Sequence, residues 1–284
     1  MIRIVEVGPR DGLQSEMAAV PTDVKVAYVD ALSSAKLPEI EVSAFVSPRW
    51  VPQLADAEEV FRRIRREPGV VYSALVSNEK GLERALAAQV GKVSVFTAAS
   101  ETFTRNNINA TIEESILRFA PVVSSARAAG LPVRGYVSTA FWCPFEGRVA
   151  PERAVDVCRR LLDIGVDELS IGDTIGKASP DEVRALVGAL PADLARDRVA
   201  LHFHDTYHRA VENALSALAL GISTFDSSAG GIGGCPYAPG ATGNVATEAL
   251  IEAFRSRGAE VTGDLAAIAA ARKVIAPALG KAGR

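Results

Sequence analysis

The sequence has little of what marks several large classes of protein. Its formal net charge is only −3, so no basic surface for nucleic acid or anionic lipid is expected. No apolar run reaches the roughly 20 residues that a membrane span needs. The N-terminus enters a strand-like pattern at once, without a secretory or transit pattern. We therefore expect a cytoplasmic protein that binds neither nucleic acid nor membrane.

Cysteine and histidine are scarce as well. Three cysteines, an odd number without metal-finger spacing, favour reduced thiols over a disulfide framework. Cys158 lies in an apolar helical pattern and is predicted to pack in the core. The three histidines, His202, His204 and His208, all fall within the segment LHFHDTYH. This clustering makes the segment the first candidate for chemistry.

Short β-branched runs alternate along the chain with longer segments of helical period. Eight runs are strand candidates: residues 2–8, 39–45, 70–76, 92–98, 132–138, 167–173, 198–205 and 222–230. Eight helical segments follow them: residues 22–36, 54–67, 78–89, 111–130, 151–165, 179–191, 207–221 and 244–258. Several of these begin at cap-type Thr, Asn, Ser or Pro and end at Gly, as helices do.

Eight βα units in about 250 residues predict a (β/α)8 TIM barrel. We expect one catalytic domain over residues 1–284, with the barrel at about 1–258 and an extra C-terminal helix at about 263–281. A doubly wound open sheet is the structural alternative. It would need fewer strands and a glycine fingerprint after the first strand, where this chain has GPRDGLQSE instead.

In a TIM barrel the chemistry sits where the strands end, because the carboxyl ends of all eight converge on one face. The predicted strands and the loops after them carry a dense set of ionisable and ligand-type residues. These are Arg10, Asp11, Gln14, Glu41, Arg134, Tyr136, Asp173, Thr174, His202, His204, Cys235 and Asn244. We expect the functional site among them.

Residues two apart on a strand point to the same side, so His202 and His204 share a face while Phe203 points toward the helix layer. Their imidazoles, about 7 Å apart along the strand, can converge on one ion, with oxygen ligands from Asp11 and Asn244. Such mixed ligation suits Mg²⁺ or Mn²⁺, with Zn²⁺ or Co²⁺ as alternatives. The metal-free interpretation is a pair of hydrogen-bonded histidines.

The other candidates also have plainer explanations. His208 is predicted to be an exposed bystander beyond the strand. Asn244 could be an ordinary helix N-cap, Asp11 could cap the short turn at DGLQ, and Glu41 could pair with Arg10 or Arg134.

A glycine-rich segment, GGIGGCPYAPGATG at residues 230–243, follows the last predicted strand. Such a segment is either phosphate-binding backbone or a mobile lid, because glycine permits unusual backbone angles and proline stiffens the ends. Cys235 is the residue in this segment with a potentially reactive side chain. It is either an acid or base near a cationic site or a plain buried thiol.

These stretches resemble the hydroxymethylglutaryl-CoA lyase family of metal-dependent TIM-barrel lyases. The similarity runs over nearly the whole chain, through IVEVGPRDGLQSE, SAFVSPRWVPQ, RGYVS, GDTIG, HFHDTY and, most specifically, GGIGGCPYAPGATGNVATE. It implies cleavage of 3-hydroxy-3-methylglutaryl-CoA to acetyl-CoA and acetoacetate, as in leucine breakdown and ketone-body formation, by a homodimer that takes an acyl-CoA substrate.

The resemblance also implies roles for individual residues. Asp11, His202, His204 and Asn244 would hold Mg²⁺ or Mn²⁺, Arg10 would stand beside the thioester carbonyl, and Cys235 would be the catalytic thiol. Asp11 or His202 would be the base. Other residues would line or support the substrate site: Gln14, Glu41, Tyr136, Asp173 and Thr174.

Three other functions remain open at this stage. One is a lyase for longer 3-hydroxy-3-alkylglutaryl-CoA esters, because Phe141 and Trp142 stand where smaller residues are common in the family. Another is an acetyl-CoA-condensing synthase of the same superfamily, although such enzymes usually carry further C-terminal domains. The last is a non-catalytic barrel that binds CoA or metal.

Overall fold

A closed barrel of eight parallel strands forms the centre of the molecule. The structure is a computed structural model, and it describes residues 1–16, 19–233 and 243–279. The barrel strands are β1 (Arg3–Glu6), β2 (Glu39–Phe45), β3 (Val71–Val76), β4 (Lys92–Ala98), β5 (Val133–Ser138), β6 (Glu168–Asp173), β7 (Val199–Phe203) and β8 (Thr224–Ser227). They are hydrogen-bonded in sequence order, and β8 closes the barrel against β1. The predicted (β/α)8 barrel is confirmed.

Helices surround the barrel on its outer side. They are α1 (Thr22–Ser33), α2 (Ala57–Arg63), α3 (Glu79–Ala87), α4 (Glu101–Ile108), α5 (Ile112–Ala128), α6 (Pro151–Asp163), α7 (Pro180–Ala189), α8 (Ala210–Leu218), α9 (Thr247–Ser256) and α10 (Leu265–Ile275). Within the described part of the chain, none is long and apolar enough to cross a membrane. The additional C-terminal helix is present as α10, which packs against α1.

The strands are buried on both faces, as strands of a parallel barrel are. Their outward residues join the helices in one large apolar cluster that includes Ile4, Phe203 and Phe225. Phe203 is 1% exposed, and its ring centroid lies 6.3 Å from that of Phe141. Cys158 on α6 is buried in the same cluster, and burial raises the pKa of its thiol to about 12. Both residues pack as predicted.

The interior of the barrel is charged rather than apolar. Lys92 Nζ lies 3.0 Å from Glu39 and 3.1 Å from Glu168, and Arg134 bonds Glu168 at 2.6 Å. Nη1 of the same guanidinium bonds Asp226 at 2.7 Å. Buried ions need partners, since removing one side of such a pair typically costs about 3–5 kcal/mol. The network therefore fixes the side chains that lie under the carboxyl ends of the strands.

Three local elements lie outside the sequence-based predictions. The helix α4 begins after Ser100, whose hydroxyl accepts from the backbone of Phe103. A two-stranded antiparallel hairpin pairs Trp142–Cys143 with Gly147–Arg148 in the loop after β5. A π-helical turn, Gly8–Gly12, follows β1. Such turns are rare in proteins, and those that occur are often found at functional sites.

Candidate active site

The main cavity, of about 740 Å³, opens at the carboxyl ends of the strands. That volume is in the range of small-molecule sites. Seven of the predicted site residues line it: Arg10, Asp11, Gln14, Tyr136, Thr174, His202 and His204. The barrel thus brings together residues that are up to 194 positions apart in the sequence.

Three ligand-type side chains form the centre of the site. One ligand atom from each of Asp11, His202 and His204 lies within 4.8 Å of the other two. Each histidine Nε2 is 4.0 Å from Asp11 Oδ2, which is too long for a hydrogen bond. The two rings, 5.2 Å apart between centroids, are tilted by 47° rather than bonded to each other. This arrangement suits a shared cation better than a hydrogen-bonded histidine pair.

Asn244 completes this cluster from the loop after β8. An isolated bridge pairs it with His204, and its amide nitrogen donates to Asp11 Oδ2 at 2.9 Å. Asn244 Oδ1 and His204 Nδ1 are buried without a hydrogen-bond partner among the described residues. The helix α9 begins at Thr247 with Ala246 as its N-cap, so Asn244 is not a helix cap. Two imidazoles, a carboxylate and an amide oxygen fit a divalent cation of borderline or hard character.

The charges of the cluster are set by its surroundings. Burial raises the pKa of Asp11, but Arg10, the two histidines and Asn244 outweigh it and lower that pKa to about 2. Burial, together with the neighbouring His202, lowers the pKa of His204 to about 4. At neutral pH the cluster therefore offers an ionised carboxylate and a neutral His204, which are the protonation states that metal ligation requires.

The histidines are not equivalent, because His202 has a second acidic neighbour. Its Nδ1 lies 3.3 Å from Asp226 Oδ2 on the adjacent strand β8. Burial lowers the pKa of His202, but the bond to Asp226 and the charge of Asp11 outweigh it and raise that pKa above its usual value.

Arg10 is held as a cation at the edge of the cluster. Its Nε donates to Glu41 Oε2 and its Nη1 to Asp11 Oδ1, both at 2.6 Å. Its guanidinium carbon lies 5.2 Å from the centroid of the Tyr136 ring. Burial lowers the pKa of Arg10, but Glu41 and Asp11 together raise it well above its usual value. The predicted pairing of Glu41 is with Arg10.

Arg10 and Asp11 both reach the cavity from the π-helical turn that follows β1. The surroundings of Gly8, the first residue of this turn, leave no space for a side chain there. A Cβ there would lie 2.6 Å from both Glu6 Oε1 and the Tyr28 hydroxyl. Glu6 in turn accepts from the backbone of Gly8 and of Ala229, so the loops after β1 and β8 are bound to the same carboxylate.

The remaining predicted substrate residues lie in different places. Tyr136 donates to Glu41 at 3.1 Å, and Thr174 accepts from the backbone of Thr139 at 2.7 Å. Asp173 is fully buried beneath the site, and its carboxylate accepts from the backbone of Lys177 and Ala178. Burial raises the pKa of Asp173 to about 7. Its position supports the loop after β6 rather than a direct contact with substrate.

The other sequence-based expectations have different outcomes. Cys235 lies outside the described residues, as do residues 234–242 around it. His208 is on the surface, as predicted, with its side chain 79% exposed. Phe141 is buried against Phe203, and the Trp142 indole donates to Glu182. Neither aromatic side chain lines the main cavity, so these two residues give no structural reason to expect a substrate with a longer 3-alkyl group.

Asp226 is a polar residue next to the site that the sequence patterns did not indicate. It is fully buried and bonds His202, Ser170 and Arg134. An acidic residue in the middle of the strand TFDS was the available signal, because a buried charge requires partners.

The chain is similar to known proteins along nearly its full length. It matches the HMGL-like family model over residues 1–275. The cytoplasmic 3-hydroxy-3-methylglutaryl-CoA lyase of Mus musculus is 48% identical over 280 residues, which are 99% of this chain and 82% of the mouse protein.

Solved structures agree. An HMG-CoA lyase from Brucella melitensis superposes with a TM-score of 0.95 at 46% identity, covering 97% of this chain and 98% of that one. An HMG-CoA lyase from Acinetobacter baumannii, in complex with coenzyme A and 3-methylmalate, superposes with a TM-score of 0.92 at 35% identity. This match covers 98% of this chain and 91% of that one. By sequence and by fold, the chain belongs to the HMG-CoA lyase family.

Proposed function

We propose that this chain is an enzyme that cleaves 3-hydroxy-3-methylglutaryl-CoA to acetyl-CoA and acetoacetate, with a divalent cation bound by Asp11, His202, His204 and Asn244. The observation that carries the proposal is the convergence of three of these ligands within 4.8 Å, beside the buried cation Arg10. Mg²⁺ or Mn²⁺ is the expected ion. When bound, it would polarise substrate oxygens and orient the substrate.

The reaction is a retro-Claisen cleavage in which the side chains of the site hold or move protons. Asp11 or His202 takes the proton from the tertiary C3 hydroxyl. The C2–C3 bond then breaks, and its electron pair passes to C2 as the enolate of acetyl-CoA while C3 becomes the ketone of acetoacetate. His202 can take this proton only while its lone pair is not bound to the metal, because a neutral imidazole has a single nitrogen lone pair.

Negative charge develops on the thioester oxygen as the bond breaks. Arg10 uses Nε and Nη1 to hold Glu41 and Asp11, so we assign Nη2 to that oxygen. A preorganised cation acts mostly in the transition state, where the charge is largest. Glu41 and Tyr136 hold the guanidinium in place.

The enolate carbon must then receive a proton. We assign this step to Cys235, directly or through water, because a thiol in the loop after β8 can act as an acid. Gln14 and Thr174 line the cavity and would contact the acyl group or the thioester. Asp173 would support the loop that carries Thr174 from beneath.

Further parts of the proposal concern the cellular setting. We infer that the enzyme forms a homodimer, that it works in the cytoplasm, as the name of the mouse relative states for that protein, and that it serves leucine breakdown and ketone-body formation. Light scattering on the purified chain tests the dimer, since a monomer at micromolar concentration would contradict it.

A panel of thioesters tests the proposed activity most broadly. We expect 3-hydroxy-3-methylglutaryl-CoA to release acetyl-CoA and acetoacetate in equal amounts with Mg²⁺ or Mn²⁺. Longer 3-hydroxy-3-alkylglutaryl-CoA esters should react more slowly, because they add volume at C3. Release of free CoA from acetyl-CoA and a 2-oxo acid, without cleavage, would assign the chain to the condensing enzymes. Metal binding without cleavage of any ester would make it a binding protein.

A further inference from the structure

The two histidines of the metal cluster have different surroundings at Nδ1. His202 Nδ1 lies 3.3 Å from Asp226 Oδ2. His204 Nδ1 is buried and bonds nothing within the described ranges. A neutral imidazole carries its hydrogen on only one of its two nitrogens. A neighbour therefore selects the tautomer of His202, whereas none of the described residues does so for His204.

The direction of the His202 bond follows from the other partners of Asp226. Arg134 Nη1 donates to Oδ1 and the Ser170 hydroxyl donates to Oδ2, both at 2.7 Å. A carboxylate paired with a guanidinium is an acceptor only. Nδ1 of His202 must therefore carry the hydrogen, which leaves the lone pair on Nε2, the nitrogen that faces Asp11.

Strand pairing makes this contact part of the barrel. Asp226 on β8 lies directly opposite His202 on β7 in the parallel register. Both Asp226 and Arg134 are almost fully enclosed, at 1% and 0% exposure, so neither can turn to water. Their geometry is consequently fixed before any ligand binds.

Arg134 joins this contact to the other half of the site. Its Nη1 also lies 3.3 Å from the Tyr136 hydroxyl, which donates to Glu41 Oε2 at 3.1 Å. The same Glu41 oxygen accepts from Arg10. A continuous path of hydrogen bonds thus runs from His202 to Arg10, the cation assigned to the thioester oxygen.

We propose that Asp226 is a positioning residue, which holds His202 as the Nδ1–H tautomer with Nε2 directed at the metal, and that Arg134 fixes Asp226 in turn. This inference rests on the metal site of the proposed function. Carboxylate partners of metal-bound histidines commonly set ring orientation and ligand basicity in this way. Neither residue is among those that line the main cavity, so the role is indirect.

Nitrogen NMR of the metal-free protein tests the tautomer without substrate. The chain has only three histidines, so a ¹⁵N-histidine sample gives three ring systems. The exposed His208 is assigned with His208→Gln, and His204 with His204→Gln. In buffer alkaline enough to keep the rings neutral, His202 should show a protonated Nδ1 and an unprotonated Nε2. The reverse tautomer would overturn the proposal, whatever the outcome of the cleavage assays.

Manganese binding tests whether Asp226 affects the affinity of the site for metal. Asp226→Asn should weaken Mn²⁺ binding about 10- to 100-fold, measured by EPR titration, and should alter the His202 ring signals. Glu168→Gln is the matched control, because it also removes a buried carboxylate from Arg134 but touches neither histidine. Its Mn²⁺ affinity and His202 tautomer should stay those of the unmodified chain.

Two outcomes contradict the positioning role. Asp226→Asn could bind Mn²⁺ as tightly as the unmodified chain does. Alternatively, Glu168→Gln could weaken binding as much as Asp226→Asn does, which would assign the effect to the ion network as a whole. If Asp226→Asn does not fold, the tautomer of His202 in the unmodified chain still decides whether the proposal holds.

Discussion

Replacing Arg10 with glutamine is expected to lower kcat for cleavage of 3-hydroxy-3-methylglutaryl-CoA by about 10²- to 10³-fold, and KM by much less. The reason is the fixed charge of the guanidinium, which Glu41 and Asp11 orient from two sides. Glutamine keeps some polarity but has no charge to stabilise the developing enolate. Steady-state kinetics with saturating Mg²⁺ measure both constants.

The control for this variant is an arginine outside the site. Arg65 pairs with Asp30 on the surface, and its side chain is 82% exposed. Arg65→Gln should leave both constants unchanged. The melting temperature of Arg10→Gln must also be measured, because the substitution leaves the buried Glu41 without its cationic partner. A folded Arg10→Gln enzyme with nearly normal kcat would remove Arg10 from the mechanism.

Replacing Asp11 with asparagine is expected to weaken metal binding by more than about 100-fold. Changes to residues that merely contact metal ligands already cost 10- to 100-fold, and Asp11 is the one acidic ligand in the described cluster. The low pKa of Asp11, about 2, means that a full negative charge is lost at any pH used for assays. Cleavage should fall below detection at micromolar metal.

Metal content after dialysis, together with the cleavage rate at rising Mn²⁺ concentrations, checks this expectation. Asparagine is nearly isosteric and can still accept from Arg10, so the loop should keep its shape. Asp23→Asn changes a side chain that is 81% exposed and should behave as the unmodified chain does. Normal metal content in Asp11→Asn would place the ion elsewhere.

Much of the fold was predictable because the barrel repeats one pattern eight times. Each predicted strand has its counterpart, since strands buried on both faces must be rich in β-branched residues. The helix α4 was not predicted because its sequence, ETFTRNNI, has no helical pattern of apolar residues. The helix is stabilised instead by the Ser100 cap and by burial of Phe103. Local pattern cannot reveal a helix that tertiary contacts define.

The site was predictable to the extent that it lies on strand ends. Two-residue spacing placed His202 and His204 on one side, and parallel topology placed them beside Asp11. Asp226 was not predicted, because only the register of β7 against β8 puts it opposite His202. The alternation of residues along a strand predicts which face of the sheet a side chain lies on. It does not predict which residue lies opposite on the next strand, because that depends on the register between the strands.

The central claim is that cleavage depends on a cation held by Asp11, His202 and His204. The most direct measurement is acetoacetate release by the chelator-treated protein before and after Mg²⁺ or Mn²⁺ is restored. We predict no measurable release without metal and full recovery with one ion per chain. Undiminished cleavage by a protein shown to be metal-free would contradict the account.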